Sequence, residues 1–291
     1  MSESRRNAGV RGKVTETHEI SRRAVLKGGG ATLTLGMLAG AFGAALPRDV
    51  KAQASAASVN VLTILYPSGE GVEFDFDYYR DKHLKMFMSL QRDAVERFEL
   101  RRVIAPPMPP GIPAPPPGSG FGPKLPFSAI ATVWVKDMPT FAANSQKHAN
   151  VLSNDVPRFT NGKPIIQFER FAGAMGAARD APKRGDRCLN MLYPNGQDVL
   201  WDVEKYRTGH MPLIMNLYGK EAIRRFELRK GEYGAAPGTQ PTYIGVVAIY
   251  VANQEKMQAA GREHGRKLME EARTVSSVGP TTFPSIIWAL A

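Results

Sequence analysis

Leu65-Tyr66-Pro67-Ser68-Gly69, followed after a short gap by Tyr79-Arg80-Asp81-Lys82-His83, is written twice in this chain. The second copy reads Leu192-Tyr193-Pro194-Asn195-Gly196 and then Tyr206-Arg207-Thr208-Gly209-His210, at a constant offset of 127 residues. The copies agree again at Arg97-Phe98-Glu99-Leu100-Arg101 and Arg225-Phe226-Glu227-Leu228-Arg229, with one residue inserted between them. Further on, His148 and His264 occupy matching positions. Self-similarity at a fixed spacing decides the architecture before any single element does, so one half is read and then doubled.

In the first half, Val59–Tyr66 reads as a strand ended by Pro67-Ser68-Gly69. Phe74 to Leu90 reads as a helix, because Phe76, Tyr79, His83, Phe87 and Leu90 recur at spacings of three and four. Ala94 to Ile104 is a strand with Phe98, Leu100 and Arg102 on one face and Arg97, Glu99 and Arg101 on the other. Phe127–Val135 is a third strand, Met138–Leu152 a second helix, and Pro164–Phe171 a fourth strand. The second half repeats the plan. Its strands are expected at Cys188–Tyr193, Ile223–Tyr233, Tyr243–Val251 and Pro284–Leu290, and its helices at Asp202–Tyr218 and Gln254–Ala272. The order βαββαβ is the ferredoxin-like one, an antiparallel sheet with both helices on one face.

A sheet covered on one face leaves the other bare. Two such units can cover each other sheet to sheet inside a shell of four helices, so the expected fold class is α+β, two tandem units forming an intramolecular pseudo-dimeric barrel. Leu62, Ile64 and Tyr66, with Leu189, Met191 and Tyr193, make faces suited to pack under helices. Thr63, Asn190 and the Arg-Glu-Arg rows would face inward. A buried unpaired charge costs several kcal/mol, so Glu99 and Glu227 are each expected to be paired with arginine. Residues 105–126 are close to half proline, with glycines interspersed, a composition that favours extended chain and either a lid or a mobile excursion. The second half lacks most of that loop.

The domain plan that follows is a signal peptide over 1–54, a first α+β domain over 55–173, a linker over 174–187 and a second domain over 188–291. Ser21-Arg22-Arg23-Ala24-Val25-Leu26-Lys27, an uncharged run from Gly28 to Leu46, and Ala52-Gln53-Ala54 read in order as a twin-arginine export signal with its cleavage site. The formal charge of +11 falls to +6 once residues 1–54 are set aside, and those charges are scattered rather than gathered on a face. That argues against nucleic acid as a partner. Cys188 is the only cysteine, which excludes an intrachain disulfide and a cysteine-rich metal site.

Tyr206-Arg207-Thr208-Gly209-His210-Met211-Pro212 resembles the motif of the EthD family, an aromatic residue, a histidine and a nearby proline on one helix. Tyr79-Arg80-Asp81-Lys82-His83-Leu84-Lys85 matches it except that Lys85 replaces the proline. The resemblance covers nearly all of the chain after residue 58 and implies the dimeric α+β barrel superfamily, with two tandem copies standing in for the usual two chains. It also implies a pocket beside the sheet for small, mostly aromatic organic molecules. Chemistry in that superfamily runs from cofactor-free oxygenation to isomerisation, dehydration and haem reactions, so the fold is implied more narrowly than the reaction.

The four histidines beyond the signal lie on the apolar stripes of their helices, and a buried imidazole left without a partner costs about 1–3 kcal/mol. They are therefore expected to be partnered or to line a wet pocket, with His83 approaching His148 and His210 approaching His264. The candidate catalytic set is His210, His264 and the orienting Tyr206 in one copy, and His83, His148 and Tyr79 in the other. Imidazole is a natural proton carrier near neutral pH. Two histidines per unit without a matching carboxylate fall short of a metal-ligand set, and no cofactor is evident. Exported haem peroxidases share the two-unit layout, but the chain lacks a Gly-x-x-Asp-Gly stretch like theirs. Two functions remain: an exported enzyme, oxidative or otherwise proton-transferring, acting on a small apolar organic molecule, or a non-catalytic carrier of such a molecule. In either case the protein is expected to be a periplasmic or extracellular monomer with an internal pseudo-two-fold.

Overall fold

The computed structural model of the protein describes residues 60–106, 125–176 and 181–291. The expected export signal, its expected cleavage site and residues 107–124 of the proline-rich stretch lie outside the described residues. Strand β1 is Val61–Pro67. Helix α1 is made of Phe76–Tyr78, a π-helical turn over Tyr79–His83 and Leu84–Gln91. Strands β2, Val95–Val103, and β3, Phe127–Val135, follow. Helix α2 runs over Met138–Lys147 and Ala149–Asp155, broken at His148, and β4 is Ile165–Met175. The second half gives β5, Arg187–Pro194, and helix α3, made of Val203–Lys205, a π turn over Tyr206–His210 and Met211–Tyr218. Then come β6, Ile223–Tyr233, β7, Tyr243–Val251, α4, Gln254–Ala272, and β8, Thr281–Leu290.

Local chemistry repeats with the sequence. The Asp75 side chain caps α1 by accepting from the amides of Asp77 and Tyr78, and Asp202, 127 residues on, caps α3 through Lys205. Asp137 and Asn253 cap α2 and α4 in the same way. Helix α3 ends at Gly219 with φ +73°, and the matching residue after α1 is Arg92, held at φ +52°. A non-glycine residue there costs roughly 1–3 kcal/mol. Arg92→Gly should therefore stabilise the protein by about 1 kcal/mol in urea denaturation, part of the relief being offset by glycine's freedom in the unfolded chain.

The eight strands close into one barrel in the order β1-β3-β2-β8-β5-β7-β6-β4, every pairing antiparallel. The expected sheet-to-sheet cover is thus a continuous wall in which the two four-stranded sheets join edge to edge, through β2 with β8 and β4 with β6. Strand β4 runs past the expected end at Phe171, because Gly173, Ala174 and Met175 pair with Leu228, Glu227 and Phe226 to make the second seam. Gly176 ends it at φ +105°, where a Cβ would stand 2.5 Å from the Arg224 carbonyl oxygen. Closure removes all free sheet edges.

Alternation along the strands divides the side chains as expected. Leu62, Ile64, Tyr66, Phe98 and Leu100 face α1 and α2 in one apolar core, and Tyr193, Phe226, Leu228, Val247 and Ile249 face α3 and α4 in the other. The barrel interior is polar at mid-height. Thr63, Glu99, Arg101, Thr132, Gln167, Glu169, Asn190, Glu227, Arg229 and Ser285 are all buried there. Leu65, Val103, Phe127, Ile130, Leu192, Val246 and Phe283 fill one end with apolar surface.

The polar contacts knit the halves together. Arg97 donates to both oxygens of Glu227 at 2.9 Å, and Arg225 reaches the same carboxylate at 2.8 Å. Arg229 lies 3.1 Å from Glu169 and donates to Thr63 at 2.9 Å. Arg101 donates to Asn190 and Thr132 at 2.9 and 2.6 Å, and Tyr250 donates to Glu99 at 2.9 Å. Both glutamates are arginine-paired, but unequally, since Glu99 meets Arg97 and Arg101 only at 3.5 and 3.7 Å and its Oε1 accepts no hydrogen bond. Burial pushes the Glu99 carboxyl above its ordinary value near 4.5, against the pull of Arg101 and Arg97. Burial works on Glu227 too, but Arg97 and Arg225 outweigh it and hold that carboxyl low. The folded state thus favours protonated Glu99. Its contribution is complete below the unfolded value and is lost as pH rises through the raised one. Glu99→Gln should gain stability relative to the parent as pH rises above about 4.5, measured by urea midpoints at intervals from pH 5 to 8.

Candidate functional site

Both repeated tyrosine–histidine phrases sit on π-helical turns, a local geometry often found at functional sites. Each turn places its tyrosine and histidine rings together beneath the sheet: Tyr79 and His83 centroids are 4.6 Å apart, Tyr206 and His210 4.8 Å. The strand tyrosine of the same phrase closes the group from above. Tyr66 and Tyr79 hydroxyls are 3.3 Å apart, and Tyr193 donates to Tyr206 at 3.3 Å. Burial pushes all four phenols above their ordinary value, so they stay protonated and act as donors or acceptors.

The partner of each buried histidine is a carboxylate from the opposite helix. His83 Nδ1 lies 2.8 Å from Asp155 Oδ2, whose other oxygen accepts from the Tyr78 hydroxyl at 2.7 Å. His210 Nδ1 bonds Glu271 Oε2. The expected approach of His83 to His148 and of His210 to His264 is therefore corrected. His148 sits half-buried at the break in α2, where its amide bonds the Asn144 carbonyl. His264 is half-buried beside Glu263 on α4. Among the described residues no hydrogen bond or ring contact joins either to the buried histidine of its half. The expectation that no carboxylate matches the histidines is corrected with it.

Asp155 and Glu271 left a signal in the sequence. Each follows the second histidine of its half by seven residues, two helical turns along one face, so the pair repeats at the histidines' own offset of 116. Tyr78 left none, because Lys205 stands at its position in the second copy and turns instead to the Thr274 carbonyl.

A carboxylate at Nδ1 orients the ring and holds the proton there, leaving Nε2 as the free base. Burial pushes His83 below its ordinary value more strongly than Asp155 raises it, so its imidazole is neutral at pH 7. The His83 ring also lies tilted against Phe159 at 4.6 Å, a position that Val275 fills in the second half. The first site is more aromatic, and the second histidine is the more buried of the two, 2% exposed against 7%. Burial pushes the Cys188 thiol up to about 11, which leaves it no thiolate role near neutrality.

No family profile matches the sequence, and no curated protein matches it. Similar solved structures include an EthD-like protein from Ralstonia eutropha at 23% identity, covering 36% of this chain and 93% of that one with a TM-score of 0.33. They also include an anthrone oxidase-like protein at 9% identity, covering 80% and 92% with a TM-score of 0.46. A chlorite dismutase variant from Candidatus Nitrospira defluvii matches at 9%, covering 79% and 92% with a TM-score of 0.38. The fold described above rests on the strand pairings of this chain, and these likenesses add no functional argument to it.

Proposed function

We propose that this chain is an exported EthD-like protein that takes up a small apolar or aromatic organic molecule and transfers a proton on it through the tyrosine–histidine–carboxylate groups. The observation that carries the reading is the duplicated, oriented imidazole. Two halves that differ in much else each keep a histidine on a π turn, bonded at Nδ1 to an acid from the other helix, under a pair of protonated tyrosines. An imidazole–carboxylate pair is an expensive way to fill a core that leucine would fill, and such departures from local economy gather at functional sites. His83 or His210 is the base, Tyr79 or Tyr206 orients the bound molecule, and the acid fixes the tautomer. The low exposure of both rings supports a second reading, a carrier in which the same groups only shape a binding pocket.

Native mass spectrometry and an absorption spectrum of protein purified from its own cell envelope should reveal a retained organic molecule. With that molecule in hand, His83→Gln and His210→Gln should together cut turnover by roughly 10²–10⁴-fold while affinity is kept. Turnover and affinity both unchanged in a folded double variant would remove the site, and affinity without any parent turnover would leave the carrier.

A further inference from the structure

Lys85, which stands where the second copy has Pro212, lies on the outer side of α1, away from the histidine. There it lines a cleft of about 400 Å³ between α1 and the end of β8. Three cations face the cleft, Arg80, Lys85 and Arg184, against one carboxylate side chain, Asp81. Arg80 is engaged by Asp77 and Asp81 at 2.8 and 2.5 Å, whereas Lys85 and Arg184 form no ion pair among the described residues. Both still help Arg80 to hold the Asp81 carboxyl low, so all three positive charges converge on one point of the rim.

The floor is apolar and partly aromatic. Leu84 and Met88 come from the helix and Trp288 from the strand. The Trp288 indole is braced by Phe76, edge-on at 5.7 Å, and by the guanidiniums of Arg102 and Arg80 at 5.4 and 6.0 Å. Its N–H has no acceptor among the described residues. The equivalent place between α3 and β4 has not kept these features: Pro212 stands for Lys85, Thr208 for Asp81 and Ala172 for Trp288.

From this pairing of a cationic rim with a flat, indole-walled floor, we propose that the cleft between α1 and β8 binds a planar aromatic carboxylate. The ring lies along Trp288, Leu84 and Met88, and the carboxylate meets Lys85 and Arg184. The volume lies in the range of small-molecule pockets and holds a two-ring acid. Cation and aromatic wall together select for both properties, since a neutral aromatic forgoes the charge and an inorganic anion forgoes the floor. The site is separate from the tyrosine–histidine groups and does not depend on their role.

The test is calorimetric titration of the chain with 2-naphthoate, with 2-naphthalenemethanol as the neutral match. Naphthoate should saturate one site and bind at least tenfold more tightly than the alcohol, with affinity falling as salt is raised. Lys85→Glu with Arg184→Glu should weaken naphthoate at least tenfold and leave the alcohol unchanged. Both positions are exposed, so folding is expected to survive. Trp288→Phe should weaken both probes by a smaller factor and abolish the change in tryptophan fluorescence that naphthoate is expected to cause in the parent, because the other two tryptophans, Trp134 and Trp201, are buried. Equal affinity of acid and alcohol, equal affinity of the parent and the charge-reversed protein, or no saturable binding of naphthoate would overturn the proposal.

Discussion

Arg229→Met lowers the stability of the barrel by about 3–5 kcal/mol, read from urea or guanidinium midpoints at pH 7. The arginine is 1% exposed and is the cation ion-paired with Glu169 at 3.1 Å, itself fully buried. Without it, Glu169 keeps only the Gln167 amide at 2.8 Å, and an ionised carboxylate is left in the barrel with no positive partner. The hydroxyls of Thr63 and Thr132 lose a donor as well. The matched change Arg101→Met should cost less, although Arg101 is equally buried. Its carboxylate neighbour, Glu99, is pushed toward the protonated form by burial and keeps Arg97 at 3.5 Å, so it depends less on this cation. Adding Glu169→Gln to Arg229→Met should recover most of the loss, since an orphaned charge and not the missing contact accounts for it. A single-variant loss below about 1 kcal/mol would mean that water or rearrangement reaches the barrel interior.

Asp155→Ala is expected to cost about 2–4 kcal/mol, and Glu271→Ala clearly less. Asp155 has an 11% exposed side chain and serves His83, the Tyr78 hydroxyl and, at 4.0 Å, Arg158. Its removal strands a buried ring nitrogen and takes the acceptor from the half-buried Tyr78 hydroxyl. Glu271 serves His210 alone and is 28% exposed, so water takes over part of its role. Histidine resonances followed by NMR titration separate this from loss of packing. The His83 pKa should fall further in Asp155→Ala, because its one charge partner is gone and burial acts unopposed. Asp155→Asn should keep much of the stability while moving the titration in the same direction. A His83 titration unmoved in both variants would mean that Asp155 does not orient this imidazole.

The linkage sign for His83 follows from the same geometry. Its folded value lies below the ordinary 6.5, so the unfolded chain binds the extra proton. His83 therefore favours the folded state above about pH 6.5 and gives up that contribution as pH falls through its folded value. Glu99 has the opposite slope, its contribution being complete below about pH 4.5 and lost as pH rises, so the two groups act at opposite ends of the range.

Much of this was legible in one chain. Strands β3, β6 and β7 and helix α4 stand where periodicity placed them, because each reads as a clean period of two or 3.6. The inward row of Arg97, Glu99, Arg101 and its second copy was visible as alternation, and with it the need for charge pairing across the barrel. The extension of β4 was not visible, because Ala172 to Met175 carry no strand signal of their own and are held by pairing with β6. The histidine pairings were misjudged for a related reason: a helical stripe names a face, but which residue on it meets a neighbouring helix depends on axial offset. That offset carries Asp155 and Glu271, two turns beyond His148 and His264, to the buried rings.

The sequence by itself determined a doubled βαββαβ chain, its apolar and polar strand faces, and the two tyrosine–histidine phrases, because each is a matter of period or repetition along the backbone. Only the tertiary structure decided that the sheets join edge to edge, that burial and arginine draw the Glu99 and Glu227 carboxyls in opposite directions, and that each imidazole answers to a carboxylate. Those outcomes depend on distances between residues remote in the chain and on the removal of water around them, and neither is written in local order.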